Sequence, residues 1–427
     1  MPEDEARALL RRLFDAAVAR ADPAKCVPPH LPADPQAGRV LVLGAGKASA
    51  AMARAIEVHA AKCGWLGRVS GLIVTRYGHD VPCERIRIVQ SGHPIPDAMG
   101  ADAAAECLAL ARTLGPDDLL LCPISGGGSA LWALPAPGLT LADKQAVNRA
   151  LLRSGAPIGE MNCVRKHLSA IKGGRLAVAA GGARVLALMI SDVPGDDPAV
   201  IASGPTVPDP TTLSDARAVL AKYGIEPPPA VAARLADPAA ETPKPRDPAF
   251  ARVDNRIVAA PAQMLEAAAT AAREAGLRPV VLGDVIEGEA RDVAAGHARL
   301  ALETQTTGEG LPAVILSGGE LTVTVRGNGR GGRNAEYALG LARALGGGAG
   351  IHAIACDTDG IDGSEDNAGA LCGPDTLVRA RAAGQDADAA LAANDAYGFF
   401  AALSDLVVTG PTRTNVNDFR AILVLPR

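Results

Sequence analysis

The sequence predicts an α/β protein of two domains: a Rossmann-like, doubly wound N-terminal domain and a smaller α/β C-terminal domain. Three observations predict it. Short apolar runs recur with Ala-rich helical stretches between them, the pattern of a mostly parallel sheet covered on both faces. The chain has 427 residues, more than one ordinary core accommodates. A proline-rich stretch, 226–250, separates two such series of runs.

The elements follow in order. Leu9, Leu10, Leu13, Phe14 and Ala17 recur at a helical period over residues 5–20. Strands are expected at 39–43, 71–74, 86–89, 119–122 and 185–190. Seven prolines in 226–250 read as a linker, which sets the domains at 1–240 and 250–427. The alternative is a rigid surface connection within one domain. A second series of strands begins at Ile257-Val258-Ala259 and continues at 279–282, 313–316, 351–355, 406–408 and 421–424.

Composition removes several classes of function. At 48% hydrophobic and 21% charged residues, the chain buries enough apolar surface to fold. A net charge of −5 and only 3% aromatics argue against nucleic-acid and anionic-membrane partners. No apolar run approaches the roughly 20 residues of a membrane span. The acidic opening Met1-Pro2-Glu3-Asp4-Glu5 is unlike a signal peptide. Eight cysteines occur singly, without a Cys-x-x-Cys pair, as expected of free thiols in the cytoplasm.

Familiar motifs fail one by one. Gly44-Ala45-Gly46-Lys47-Ala48-Ser49 has the strand-to-helix context of a dinucleotide fingerprint, but Ser49 replaces the third glycine. Thr75-Arg76-Tyr77 stands where a ribose-binding acid belongs. A Walker A loop would need glycine at Leu41 and Ser or Thr at Ala48. What survives is a glycine turn, a helix N-terminus and Lys47, which suit an anion or form an ordinary turn with a solvated lysine. Ser125-Gly126-Gly127-Gly128-Ser129 is no nucleophile elbow, since Pro123 and Leu131 occupy the glycine places. Its backbone N–H groups can still approach an oxyanion. Asp357-Thr358-Asp359-Gly360-Ile361-Asp362-Gly363 breaks the calcium-loop pattern at Ile361 and Asp362. Its acids suit a hard cation such as Mg²⁺, or form a solvated turn. No histidine has zinc-ligand spacing.

Other polarity is concentrated after buried runs. Residues 162–175 read as one basic helix with Arg165, Ser169 and Lys172 on a face, able to hold a carboxylate or phosphate or to be a solvated stripe. Ser191-Asp192 follows a strand, and Ser203-Gly204-Pro205-Thr206 is a donor-rich loop. Ser317-Gly318-Gly319-Glu320 follows another strand. Then Gly327-Asn328-Gly329-Arg330-Gly331-Gly332-Arg333-Asn334 sets two arginines among glycines before a helix, a candidate phosphate clamp. Thr409-Gly410-Pro411-Thr412-Arg413-Thr414-Asn415-Val416-Asn417-Asp418 is a further polar loop. Six such loops from both halves suggest a ligand cleft between two α/β domains.

Together these loops, with Ser91-Gly92-His93-Pro94-Ile95-Pro96-Asp97 and Asn162-Cys163-Val164-Arg165-Lys166-His167-Leu168-Ser169, resemble the glycerate 2-kinase family from Val40 to Leu425. This family is also called the class II glycerate kinases, and its C-terminal part the MOFRL domain. The resemblance implies ATP-dependent phosphorylation of D-glycerate at its 2-hydroxyl, giving 2-phosphoglycerate and ADP with Mg²⁺. It also implies an active site between the two domains. The family's active-site lysine carries over to Lys47 and its arginine to Arg333, with Arg330 as a competitor. Asp192 is the candidate acceptor of the hydroxyl proton, and Glu320, Asp357 and Asp359 are candidate Mg²⁺ ligands. Substrate or nucleotide contacts are expected from Gly44, Gly46, Ser125, Gly126, Gly127, Gly128, Ser129, Arg165, Lys172, Ser203, Gly204 and Thr206. In the second half they are expected from Ser317, Gly318, Gly319, Arg330, Gly332, Asn334, Thr409, Thr412 and Asn415. Members have also been labelled hydroxypyruvate reductases, so an NAD(P)H-dependent reductase of the same acid is the first rival. A non-catalytic sensor is the second. The partners expected are the small molecules glycerate and ATP, and a homodimer is one expected assembly.

Overall fold

The computed structural model describes residues 1–427. They form two compact units, Pro23–Val258 and the pair of segments Met1–Asp22 and Ala259–Arg427.

The unit Pro23–Val258 is built on six strands: β1 (Val40–Ala45), β2 (Val69–Arg76), β3 (Ile86–Ser91), β4 (Leu119–Ser125), β5 (Arg184–Ile190) and β6 (Val253–Ala259). Their order is β3-β2-β1-β4-β5-β6, the doubly wound Rossmann arrangement. The pairs β2/β3, β1/β2, β1/β4 and β4/β5 are parallel. Every residue of β1 and β4 is buried, which explains their unbroken apolar runs. Leu43, Val74, Ile124, Trp132 and Met189 belong to one core beneath the helices. Buried Glu57 accepts hydrogen bonds from the N–H groups of Glu84, Arg85 and Ile86 at 2.7, 2.7 and 2.9 Å, fixing where β3 begins.

Two expectations change here. The proline-rich stretch is not a linker between units. It carries a helix, Pro229–Ala236, with proline at the first helical position, where the missing N–H costs nothing. It then returns as β6 to the edge of the first sheet. The run Ile257-Val258-Ala259 therefore ends the first series rather than opening the second. The basic segment is also not one helix. Helix Ile158–His167 stops, Ser169 accepts the N–H of Ile171 at 3.3 Å, and Gly173 and Gly174 turn with φ of 57° and 80° into Arg175–Ala179.

The second unit has a six-stranded sheet in the order β13-β12-β11-β14-β9-β7. Its members are β7 (Arg278–Gly283), β9 (Ala313–Gly319), β11 (Ile351–Asp357), β12 (Gly369–Cys372), β13 (Leu406–Val407) and β14 (Asp418–Val424), and β8 (Gly288–Glu289) pairs apart with β10 (Leu321–Thr322). Only β7/β9 is parallel in the larger sheet; the other pairs are antiparallel. Helix Glu3–Arg20, assigned by its position in the sequence to the N-terminal domain, belongs to this unit. Its Phe14 ring lies 5.8 Å from Phe419 and its Arg7 pairs with Asp405 at 2.5 Å. All eight cysteines are free, and no helix is long and apolar enough to cross a membrane.

Candidate active site

In the first unit the strand order reverses between β1 and β4, and open α/β sheets bind ligands beyond the carboxyl ends of strands at such a point. The turns after these two strands are pinned together. The Lys47 N–H donates to the Gly126 carbonyl at 2.9 Å, and the Ala48 N–H to Ser125 Oγ at 2.9 Å. The approach demands glycine. A Cβ on Gly46, at φ 148°, would lie 2.1 Å from Ser125 Oγ, and one on Gly44 would lie 2.0 Å from the Pro123 oxygen. The Gly46 N–H goes to Val74 O at 3.1 Å. The backbone N–H groups of Gly46, Lys47 and Ala48 are thus used inside the protein.

The second turn has donors to spare. The N–H groups of Gly126, Gly127, Gly128 and Ser129 donate to no protein acceptor. Gly127 is left-handed at φ 81°. A Cβ there would stand 3.0 Å from the His93 ring and 3.5 Å from Lys47 Cγ, so the second turn, His93 and Lys47 share one locality. Ser129 Oγ is 2.8 Å from Ser203 Oγ, which in turn donates to Asn162 Oδ1 at 3.3 Å. Ala202 and Ser203 are both held at positive φ, 52° and 60°, a strain of about 1–3 kcal/mol each that clusters at functional sites. Gly204 continues the turn at φ 60°. Thr206 is fully buried and gives its hydroxyl to Asn255 at 2.7 Å; it braces β6. Asp192, half-buried, follows β5.

A cavity of about 200 Å³ adjoins the second turn, bordered by His93, Gly127, Ser129, Lys144, Arg165 and Lys172 among others, with no Asp or Glu in its wall. Lys172 Nζ donates to Ser129 O and Trp132 O at 2.8 and 2.9 Å, and Lys144 Nζ to Ala133 O and Leu134 O at 3.2 and 3.1 Å. Burial, then the charge of Arg165, pushes the Lys144 ammonium down to about 7. Burial, then Lys144 and Arg165, pushes Lys172 well down. Arg165 is lowered by burial and donates to Asn148 Oδ1 at 2.8 Å.

The second unit gathers acids around one arginine. Arg333 Nε donates to Asp418 at 2.9 Å, Nη1 to Glu320 at 3.0 Å and Nη2 to Asp357 at 3.0 Å. Asp357 and Asp418 are register partners on β11 and β14, and Asp418 pairs with Gly319 on β9. Like charges at such positions repel, and the guanidinium offsets that repulsion. Burial opposes its charge, but Asp418, Asp357 and Glu320 hold Arg333 raised. Asp362 caps the helix Arg333–Leu345 from a distant loop, accepting the N–H groups of Asn334 and Ala335 at 3.0 and 2.8 Å. Burial pushes its carboxyl up to about 6 against those bonds. Gly332 leaves room for it, since a Cβ would meet Asp362 Oδ1 at 2.3 Å.

The proposed metal ligands do not fit a divalent ion. Glu320 and Asp357 converge on Arg333, which takes the place a cation would fill. Asp359 turns its carboxylate to the Ile361 N–H at 2.9 Å, and no group of three His, Cys, Asp or Glu is placed to hold a metal. Arg330 lies apart from Arg333, stacked 4.7 Å over Tyr397 and 3.5 Å from Glu365. Asn334 is buried and donates to Asp418 at 2.9 Å. Ser317 accepts from Arg420 at 3.3 Å, and Thr412 gives its hydroxyl to the Thr358 carbonyl. Gly318 and Gly319 end β9, where a Cβ on Gly319 would meet Ile286 backbone at 2.3 Å. Thr409 gives its hydroxyl to the Gly410 carbonyl at 2.7 Å, and Asn415 is buried. Sequence reasoning missed Lys144, His93, Asp418 and Asp362 as site residues. His93, Asp362 and Asp418 lay within the polar loops already described, while Lys144 sits in an unremarkable amphipathic helix, Leu141–Arg153.

A doubly wound sheet with unspent N–H donors and Lys47 at its switch point belongs to the class of α/β proteins that bind small anions there. Residues 9–236 match the family described as a domain of unknown function, DUF4147, and residues 313–418 match the MOFRL family. The chain is 39% identical to the D-glycerate 2-kinase of Thermotoga maritima, over 89% of each chain. It is 57% identical to an Agrobacterium vitis protein provisionally named a hydroxypyruvate reductase, over 98% of this chain and 94% of that one. The crystal structure of a glycerate kinase from Thermotoga maritima superposes with a TM-score of 0.88 at 36% identity, covering 99% of this chain and 100% of that chain. The chain belongs to the glycerate 2-kinase family and is a kinase.

Proposed function

We propose that this enzyme transfers the γ-phosphoryl group of ATP to the 2-hydroxyl of D-glycerate, giving 2-phosphoglycerate and ADP in the cytoplasm. The observation that carries the reading is the row of four unused N–H groups from Gly126 to Ser129 beside Lys47. Phosphoryl transfer asks for positioning and charge neutralisation more than covalent chemistry, and this locality supplies both. Lys47 faces the transferring phosphate, the Gly126–Ser129 turn receives oxyanions, and Asp192 accepts the hydroxyl proton. In the second unit, Arg333 has guanidinium N–H groups beyond those given to its three carboxylates, and these bridge phosphate oxygens. Mg²⁺ enters this reading only as the counter-ion of the nucleotide.

The test is incubation with ATP and D-glycerate, with ³¹P and ¹³C NMR of the product. One ADP per acid and phosphorus coupled to C2 are expected. Phosphate on C3, or oxidation of NADH with hydroxypyruvate and no ADP, overturns the reading. The reductase alternative is weakened because β2 ends in Thr75-Arg76 without an acid for a nicotinamide ribose. Asp192→Asn is expected to lower kcat by about 10²–10⁴-fold while glycerate still binds. Equal loss of binding, measured by calorimetry, would make Asp192 a binding residue instead.

A further inference from the structure

We infer that the cavity bordered by Lys144, Arg165 and Lys172 receives the carboxylate of the acceptor acid, and that Lys144 is a substrate-binding residue. The inference deepens the glycerate reading and rests on it.

Three cationic side chains border one small space, and none has a carboxylate partner. Burying cations without counter-charge is costly, and burial lowers both Lys144 and Lys172. An ammonium has three donors. Lys144 and Lys172 each give two hydrogen bonds to carbonyls of the 129–134 turn, which leaves each one further N–H in its protonated form. The carbonyl bonds fix where the ammonium groups stand, and Asn148 fixes the Arg165 guanidinium in the same way. Leu141, Val147, Leu151 and Leu168 complete the wall, and apolar walls strengthen charge recognition by excluding water. A monoanionic acid matches a pocket of this size and charge. The cavity also meets the proposed reaction centre, because His93 and Gly127 border it and Lys47 Cγ lies 3.5 Å from where a Gly127 Cβ would be. An acid held by its carboxylate on Lys144 would extend its hydroxyl end toward the free N–H groups of the Gly126–Ser129 turn.

The experiment measures D-glycerate binding to the nucleotide-free enzyme by calorimetry, and KM for each substrate, in wild type, Lys144→Met and Lys144→Arg. Lys144→Met is expected to weaken glycerate binding about tenfold or more and raise its KM likewise. The KM for ATP should stay within about twofold, the control for a merely loosened turn, and Lys144→Arg should retain most of the affinity. Unchanged glycerate affinity in a folded Lys144→Met protein overturns the inference. So does a rise in the KM for ATP alone, which would give the cavity to the nucleotide. Lys144-dependent glycerate binding without phosphorylation would uphold the pocket and sink the kinase reading. Phosphorylation independent of Lys144 would do the reverse, and a wild-type enzyme that neither binds nor phosphorylates glycerate would sink both.

Discussion

Arg333→Met is expected to lower the thermal midpoint of the second unit's unfolding by on the order of 10 °C. The guanidinium lies between Asp418, Asp357 and Glu320, whose side chains are 0%, 6% and 56% exposed. Removing it leaves two buried carboxylates that are register partners without their shared counter-charge, a loss of about 3–5 kcal/mol. Glu320 contributes little to this sum, because water already solvates it. Asn334 and Arg420, at 2.9 and 3.5 Å from Asp418, moderate the loss at that acid, and the Asp359 N–H, 3.0 Å from Asp357 Oδ1, moderates it at the other. Arg333→Lys keeps the charge but cannot reach three carboxylates with one fork, so its midpoint should fall between the other two. Differential scanning calorimetry on the three proteins tests the ordering. A midpoint for Arg333→Met within 2 °C of wild type would show that the arginine is not the keystone of this acidic cluster.

The second large effect separates catalysis from folding. Lys47→Ala is expected to reduce kcat by about 10³-fold, in line with removing one strong donor to developing charge, while the melting midpoint stays near wild type. Two braces of the turn do not involve the lysine side chain. They are the Lys47 backbone N–H bonded to Gly126 O and Gly46 packed on Ser125, and alanine preserves both. A stopped assay for ADP together with a thermal melt decides the matter, and wild-type turnover in the folded variant removes Lys47 from the reaction.

Most of the fold could be read from the chain because burial writes itself into composition. Strands covered on both faces are mostly apolar, and stretches of β1, β4, β5, β9, β11 and β14 were each visible as such runs, although β11 and β14 also bury Asp357, Asp418 and Arg420. The mixed order of the second sheet was not, since a fully buried strand looks the same in either direction. Helix Glu3–Arg20 shows the same limit. Its apolar stripe, Leu9, Leu10, Leu13, Phe14 and Ala17, declares that one face is covered, but not by which sheet. The proline-rich stretch misled because proline stiffens a connection equally well between domains and along one.

The candidate site divides in the same way. Glycine turns after buried strands, Lys47 and the Arg333 loop stand out in the sequence, because glycine and charge beside apolar runs need a reason. Which turn keeps free N–H groups, which acid meets Arg333 and which lysine enters a cavity were decided only by the tertiary structure. Hydrogen-bond partners such as Val74 with Gly46, Asp418 with Arg333 and Asp362 with Asn334 lie 28 or more residues apart. A local sequence window holds one member of each pair. Only the folded chain, by bringing the second member within hydrogen-bond reach, determines whether a donor is spent or available.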